Sequence, residues 1–307
     1  MIIDAHLHVW NPTRAPYPWL TDALHPIDRT LLLDDIAGAL DSAGADRVVL
    51  VQAADNAADT EVMRAEAAKH PARVAGIVAW LPLDDPAAVE AALPDFAADP
   101  LIVGIRNLIH DREPGWLAGE QQDASLTLLE EGGLTLDFVT ASPDALAEIP
   151  SLLERHPELR IVIDHLGKPP IGGTPEQRTT WRQLLATAAA NPLVHAKLSG
   201  LYPAVGDMRT WSVDDIRPFV DDAAEIFGAD RLLYGSDWPI AELAGGHRRV
   251  HEALLEILGG WSPAERAAVL SASATAFYGL APAPADEAHD DTPAATPDDP
   301  TSERTTA

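Results

Sequence analysis

The sequence predicts an α/β fold: a single (β/α)8 TIM barrel followed by a disordered acidic C-terminal tail. Three observations carry this prediction. Eight short runs are rich in β-branched residues, Ala- and Leu-rich amphipathic runs lie between them, and polar residues stand near the ends of the apolar runs. Strands that alternate with helices indicate βαβ units and a parallel sheet. Eight such units within about 280 residues fit a closed barrel.

The strand predictions repeat at regular intervals along the chain, and they cover residues 2–9, 47–53, 74–81, 101–108, 134–139, 160–166, 194–200 and 231–238. Amphipathic runs at 33–44, 60–70, 143–156 and 213–228 predict helices between them. Gly44 and Gly228 stand where a helix commonly ends. The main alternative is an open doubly wound sheet, which would carry a Gly-rich turn after its first strand. The residues found there are Trp10, Asn11 and Pro12.

The predicted domain organisation has two parts. Residues 1–280 form the barrel, and residues 281–307 form the tail. The tail is rich in Pro, Ala, Thr and acidic residues and offers almost nothing to bury, which predicts disorder.

Composition excludes several classes of function. The chain of 307 residues has a formal net charge of −27, which argues against nucleic acid and anionic membrane surfaces as partners. It contains no cysteine, so disulfides, thiolate nucleophiles and Cys–zinc sites are excluded. No apolar run approaches the roughly 20 residues that span a membrane, and no leader sequence is visible. We therefore expect a cytoplasmic protein; the sequence is compatible with a homo-oligomer.

The first predicted strand contains two histidines in the segment Asp4-Ala5-His6-Leu7-His8. Side chains alternate between the two faces of a strand. We therefore expect one face, directed into the barrel, to carry Asp4, His6 and His8. The opposite face, packed against helices, would carry Ile3, Ala5, Leu7 and Val9. Two imidazoles at positions i and i+2 can meet at one metal ion or at one substrate group.

Other polar residues occupy corresponding positions near the ends of later strands: Gln52, Trp80, Arg106, His165, Lys197, Ser199 and Asp237. The active site of a barrel forms at the C-terminal ends of its strands, where loops and strand ends meet. These side chains suit a barrel interior poorly, since Val, Ile and Leu normally fill it. The pattern therefore predicts a functional site at this end of the barrel.

Five motifs make the comparison with a known family specific: IDAHLHVW (3–10), GIRNL (104–108), VIDHLGKP (162–169), KLSGL (197–201) and LLYGSDWP (232–239). In this order they resemble the amidohydrolase superfamily. More closely, they resemble the lactone-hydrolysing branch of its second large family, which includes fuconolactonases, rhamnonolactonases and pyrone-dicarboxylate lactonases. The resemblance covers residues 2 to about 280 and implies a barrel that hydrolyses a small-molecule lactone, a sugar lactone above all.

The resemblance also implies residue roles. Asp237 would be the general base for the attacking water, and His165, His6 and His8 would lie at the lactone carbonyl or at a metal. Arg106 would bind a substrate carboxylate or hydroxyl, since its planar fork suits two parallel hydrogen bonds. Further predicted substrate contacts are Lys168, Gln52 and an apolar wall of Trp10, Trp80 and Trp238.

The metal requirement is left open by the sequence. Strand 4 offers Arg106 and Asn107, and strand 5 offers only Asp137, so the bridging ligand of a two-metal site is not predicted. One zinc or manganese ion could bind to His6, His8 and Asp237. Equally, lactones are activated esters, and a base with a few hydrogen-bond donors can suffice without a metal.

Two other classes of function are compatible with a barrel of this kind. A metal-dependent amidohydrolase or decarboxylase of the same superfamily would act on another small carboxylate or amide. The decarboxylase would need a histidine on strand 5, and the run LTLDFV (134–139) has none. A non-catalytic binding barrel would have lost the base, whereas Asp237 is present.

Two long connections are predicted to reach over the barrel mouth. Residues 11–26 contain Tyr17, Trp19 and His25, and residues 109–123 contain His110, Asp111, Arg112 and Trp116. Long connections without regular structure are often functional.

Overall fold

Eight parallel strands follow one another in one sheet in the order of the sequence. The computed structural model describes residues 1–203 and 207–282. The strands are β1 (Ile2–Leu7), β2 (Ala45–Val51), β3 (Val74–Ala79), β4 (Ile102–Arg106), β5 (Thr135–Phe138), β6 (Ile161–Ile163), β7 (Val194–Leu198) and β8 (Leu232–Tyr234). Each lies within or overlaps a predicted strand, and the predicted (β/α)8 barrel is confirmed. β6 and β8 end earlier than predicted, because the backbone turns away before it reaches His165 and Asp237, respectively.

Helices connect successive strands, and the last three helices follow β8. They are α1 (Leu33–Ala43), α2 (Ala57–Lys69), α3 (Pro86–Ala98), α4 (Glu120–Glu131), α5 (Ile149–Arg155), α6 (Pro175–Ala189), α7 (Val213–Phe227), α8 (His247–Leu258), α9 (Pro263–Ala267) and α10 (Ser273–Tyr278). A π-helical turn, Ala268–Ala272, joins the last two. Gly44 ends α1 with a left-handed backbone of φ 64°, as its position in the sequence indicated.

The barrel closes between the end of β1 and the residues that follow β8. The backbone N–H of Asp237 donates to the carbonyl of His6 at 2.8 Å, and the N–H of His8 donates to the carbonyl of Trp238 at 2.7 Å. A parallel bridge pairs Leu7 with Trp238 between them. Closure of the sheet therefore brings both histidines of β1 next to Asp237.

A cluster of apolar side chains fills the lower part of the barrel and includes the C-terminal residues Phe277, Tyr278 and Leu280. The C-terminal segment lies across the N-terminal ends of the strands. Arg47, near the start of β2, donates to the carbonyl of Ala281 at 2.6 Å, and Arg160, just before β6, donates to the carbonyl of Phe277 at 2.5 Å. The end of the domain is thus a plug for the face of the barrel opposite the predicted site.

The strict alternation predicted for β1 is wrong in its first half. Ile3 and Ala5 belong to the interior cluster, whereas Leu7 and Val9 pack with the helices. The pairing of β1 with β2 shifts register between Asp4 and Leu7. A β-bulge of this kind changes the direction of the side chains that follow it. His6 and His8 face the site as predicted, but Asp4 does not join them.

Asp4 instead stabilises the backbone at the barrel seam. Its Oδ1 accepts from the backbone N–H of Ser236 at 2.9 Å and from that of His6 at 3.2 Å. The carboxyl group is fully buried, and burial raises its pKa to about 6, because the hydrogen bonds from Ser236 and His6 oppose the loss of water only in part.

The predicted disordered tail, 281–307, lies outside the described residues from position 283 onward. Within the described ranges, every helix is too short or too polar to cross a lipid bilayer. A cytoplasmic location and a homo-oligomeric state stay predictions.

The C-terminal plug gives a stability prediction. Phe277 is 2 % exposed, and its ring lies 4.7 Å from that of His195. Replacing Phe277 by Ala should lower the free energy of unfolding by about 3–5 kcal/mol, because the barrel interior cannot collapse around the cavity. Urea denaturation measures this change. The exposed neighbour Ala276→Ser should leave stability within about 0.5 kcal/mol of the wild type. An equal effect of the two variants would contradict the role of the plug.

Candidate active site

A cavity of about 440 Å³ opens at the C-terminal ends of the strands. Six of the residues predicted from the sequence line it: His8, Trp10, Arg106, His165, Lys168 and Asp237. The cavity volume lies in the range of small-molecule sites. The predicted location of the site at this end of the barrel therefore coincides with a suitable pocket.

Four polar side chains converge at the floor of this pocket. The Nε2 atoms of His6 and His8 lie 3.2 Å apart. Oδ1 of Asp237 lies 3.5 Å from Nε2 of His8, 3.7 Å from Nε2 of His6 and 4.0 Å from Nε2 of His165. The site thus consists of one carboxylate oxygen facing three imidazole nitrogens, and these are the four residues that the sequence analysis assigned to catalysis.

Unusual backbone conformations aim two of these side chains. His165 and Asp237 both have left-handed backbones, with φ of 53° and 57°. Such conformations are uncommon outside glycine, and they cluster at functional sites. The surrounding structure must therefore hold both residues in place against local strain.

Two glycines let the strands approach the histidines. A Cβ on Gly235 would lie 2.5 Å from the Cβ of His6, and a Cβ on Gly200 would lie 2.4 Å from Nδ1 of His165. Neither position has room for a side chain. The glycines of the KLSGL and LLYGSDWP motifs are thus required for the geometry of the site.

A buried charge network lies beneath the four convergent side chains. The ammonium of Lys197, on β7, lies 2.5 Å from Oδ2 of Asp137, 3.0 Å from Oδ1 of Asp164 and 3.0 Å from Nδ1 of His6. Nε of Arg106 lies 3.2 Å from Oδ2 of Asp164. Lys197 is 0 % exposed, and a buried ammonium requires paired carboxylates.

Lys197 and Asp137 were predicted near strand ends but not as a pair, and Asp164 was not predicted as a site residue. A signal was present, since Asp164 directly precedes His165 at the end of a buried strand. Tyr278 was also missed; its hydroxyl donates to Oδ2 of Asp137 at 2.9 Å from the C-terminal plug. Nothing local in the sequence relates residues 141 positions apart.

The surroundings of Asp237 and His165 shift the pKa values of both groups. Burial alone would raise the pKa of Asp237, but the adjacent His165, His8 and His6 outweigh it and hold this pKa below its usual value. Burial lowers the pKa of His165 to about 4, and the nearby carboxylate of Asp237 only partly opposes the effect. At neutral pH the site therefore combines an ionised carboxylate with a neutral His165.

The hydrogen bonds of two rings indicate their orientation. Nδ1 of His8 lies 2.8 Å from the carbonyl oxygen of Val51. Because a carbonyl only accepts, the proton of His8 is on Nδ1 and its Nε2 presents a lone pair to the site. Nδ1 of His165 is paired with the hydroxyl of Ser199 at 2.9 Å.

One divalent metal ion can be held at this place. Ligand atoms of His6, His165 and Asp237 all lie within 4.8 Å of one another, and His8 adds a fourth nitrogen. Imidazole and carboxylate donors in this combination suit zinc or manganese. A second group within the same distance limit consists of His6, Asp137 and Asp164. The ammonium of Lys197 contacts all three members of that second group.

The predicted substrate-binding residues divide into two sets. Trp10, Arg106 and Lys168 line the cavity. Gln52, Trp80 and Trp238 are not among the residues that line it. Gln52 is fully buried and donates to the carbonyl of Arg106 at 3.0 Å, so it supports the backbone of β4 from behind. Trp238 packs with the strands and helices of the outer core.

Both long connections contribute to the pocket wall, but Tyr17, His25, Arg112 and Trp116 are not among the residues that line it. Trp19 comes from the first connection, and His110 and Asp111 come from the second. The hydroxyl of Tyr17 donates to Asp59, in the first turn of α2, at 2.7 Å, and the indole Nε1–H of Trp19 donates to the carbonyl of Ala53, in the loop after β2, at 2.7 Å.

The second connection is held to the same loop. Arg112 pairs with Asp55 at 3.0 Å, and Oδ1 of Asp55 also accepts from the backbone N–H of Leu108 at 2.9 Å. The walls of the pocket are therefore connected to one another through the loop after β2.

Known proteins resemble this chain over most of its length. The chain is 32% identical over 244 residues to an L-fucono-1,5-lactonase of Burkholderia ambifaria, covering 79% of this chain and 82% of that protein. It is 29% identical over 297 residues to an L-fucono-1,5-lactonase of Burkholderia multivorans, covering 92% and 97%.

A solved amidohydrolase of Burkholderia multivorans with zinc bound superimposes with a TM-score of 0.83 at 26% identity, covering 92% of this chain and 100% of that one. Residues 3–280 match the family described as amidohydrolase, which is nearly the whole of the described chain. On this match and on the barrel with its convergent histidines and aspartate, the chain belongs to the amidohydrolase family.

Proposed function

We propose that this protein is a hydrolase that opens a small-molecule lactone, with a sugar lactone as the favoured substrate class. The observation that carries the proposal is the ionised Asp237 facing three imidazoles on the floor of a pocket at the C-terminal ends of the strands. The names of the two Burkholderia relatives support the choice of a lactone over other esters and amides.

In the proposed reaction, Asp237 activates water. Its Oδ1 accepts a proton from a water molecule placed over the lactone carbonyl, and the water oxygen attacks the carbonyl carbon. Two features of the backbone hold this carboxylate at the barrel seam. They are the hydrogen bond from the N–H of Asp237 to the carbonyl of His6 and the left-handed conformation of Asp237. A positioned base needs no reorganisation at the moment of attack.

The attack converts the carbonyl oxygen into an oxyanion, which an N–H of His165 would stabilise. Donors fixed in a site that excludes water act more strongly than donors in solution. The bond between the carbonyl carbon and the ring oxygen then breaks. The ring oxygen leaves as an alkoxide and receives the proton that Asp237 took from water, and the product is the hydroxy acid.

Side chains of the pocket wall would orient the substrate. Arg106 and Lys168 provide positive charge beside the reacting centre, and Trp10 and Trp19 provide an apolar surface, their rings 5.2 Å apart. Hydroxyl groups of a sugar suit the cationic side, and the C–H face of its ring suits the indoles.

A divalent metal, zinc or manganese, would be held by His6, His8, His165 and Asp237. When bound, such an ion polarises a carbonyl and lowers the pKa of water. The zinc-bound relative supports this option.

The strand-5 position bears on the alternative reactions of the superfamily. β5 contributes Asp137 to the barrel interior, and the carboxylate of Asp137 accepts hydrogen bonds from Lys197 and Tyr278. This carboxylate is therefore already neutralised within the protein, which favours lactone hydrolysis over a decarboxylation that needs a further ligand from β5.

The proposed function is tested by a screen of sugar lactones with a pH indicator, since each turnover releases a proton. We expect turnover of at least one lactone, and we expect Asp237→Asn to lower kcat at least about 100-fold because the base is lost. Asp221→Asn removes an exposed carboxylate of α7, outside the pocket, and should retain most of the activity. Near-normal turnover by Asp237→Asn would refute the assigned base.

Metal removal gives a second prediction. We expect protein stripped with a chelator, and shown to be metal-free by elemental analysis, to retain turnover, because Asp237 is already ionised and a lactone is an activated ester. The measurement is kcat before and after stripping. Loss of activity that one equivalent of zinc or manganese restores would instead make the metal part of the reaction.

A further inference from the structure

A chain of three hydrogen bonds connects Lys197, His6, His8 and the carbonyl of Val51. The successive distances are 3.0 Å from Nζ of Lys197 to Nδ1 of His6, 3.2 Å between the Nε2 atoms of the two histidines, and 2.8 Å from Nδ1 of His8 to the carbonyl oxygen. The two ends of the chain have fixed roles, because an ammonium only donates and a carbonyl only accepts.

These fixed ends determine where the proton lies on each ring. Lys197 donates to Nδ1 of His6, so Nδ1 carries the lone pair and the proton is on Nε2. His8 donates from Nδ1 to Val51, so its Nε2 carries the lone pair. The central contact is then a bond from Nε2–H of His6 to Nε2 of His8, and all three bonds run in the same direction.

Asp164 is the competing partner for Nδ1 of His6. Its Oδ1 lies 3.2 Å from this nitrogen. Among the described residues, however, neither oxygen of Asp164 has a hydrogen bond of acceptable geometry. The contact that satisfies Nδ1 of His6 is therefore the one from Lys197.

The position of Lys197 has a second consequence. His6, Asp137 and Asp164 form one of the two groups whose ligand atoms are close enough to hold a metal ion, and the ammonium of Lys197 contacts all three of these residues. An internal cation thus takes the place that a metal ion would have in that group. The other metal-type group, with His165 and Asp237, shares His6 and would need the lone pair of its Nε2.

We propose that Lys197 is a positioning residue that keeps the proton of His6 on Nε2, and thereby makes His6 a hydrogen-bond donor in the site and a poor metal ligand. The relevance of this proton to lactone hydrolysis rests on the proposed function; the location of the proton does not. A metal bound through Nε2 of His6 requires the proton to move to Nδ1. There the N–H would donate a hydrogen bond to Asp164, and the ammonium of Lys197 would have to move away from Nδ1.

The location of the proton is measured directly on the wild-type protein. Long-range ¹H–¹⁵N correlation spectra of ¹⁵N-labelled, metal-free protein distinguish protonated from unprotonated ring nitrogens, and His6→Gln assigns the signals of His6. We expect Nε2–H on His6 and Nδ1–H on His8. A signal showing Nδ1–H on His6 would overturn the proposal.

Zinc affinity provides an independent readout. In calorimetric titrations of metal-free protein with zinc, Lys197→Met should bind at least about tenfold more tightly than the wild type, since supporting groups change metal affinity by this order. Lys197→Arg retains a donor and should restore weak binding. Tyr278→Phe, which removes only a hydrogen bond to Asp137, should match the wild type. Equal affinity of Lys197→Met and wild type would contradict the proposal.

The two proposals fail separately. Where Lys197→Met does not fold, the spectra of the wild-type protein decide the question alone. Absence of lactone turnover with Nε2–H on His6 would refute the proposed function and leave the role of Lys197 intact. Lactone turnover with Nδ1–H on His6 would do the reverse.

Discussion

Closure of the sheet between β1 and β8 is the constraint on which the site depends. Two backbone hydrogen bonds, from Asp237 to His6 and from His8 to Trp238, join the ends of the barrel. The same residues supply the carboxylate and two of the three imidazoles, so the distances between reacting groups are set by backbone pairing. A site built on paired strands is held more precisely than one built on loops, because each side chain inherits the rigidity of the sheet.

Placing polar groups inside a barrel has a cost that the layer beneath the site offsets. Burying an ammonium or a carboxylate without a partner costs several kcal/mol per ion. Lys197 lies against Asp137 and Asp164, and Arg106 lies against Asp164. The charges below the pocket are therefore paired with one another, whereas Asp237, at the pocket floor, faces three imidazole rings.

Sequence alone predicted the features that depend on local pattern. The eight strands, the helices between them and the convergence of His6, His8, His165 and Asp237 follow from periodicity and from the rule that barrel sites form at strand ends. What it could not predict depends on contacts between distant segments. The bulge in β1 that separates Asp4 from the histidines is a matter of register with β2. The contacts of Asp137 with Lys197 and Tyr278 bring together side chains from β5, β7 and α10, which are far apart in the sequence.

The single ring of His6 connects the two layers, and this restricts what each can do. A neutral imidazole has one proton and one free lone pair, so a donor on one nitrogen makes the other nitrogen a donor in turn. Because Lys197 donates a hydrogen bond to Nδ1 of His6, the proton of this ring is on Nε2 and is directed toward His8 and Asp237. A cation below the ring and a metal ion above it therefore compete through one proton, even though they occupy different places. The charge pairing that stabilises the barrel interior thereby also selects the chemistry of the pocket floor.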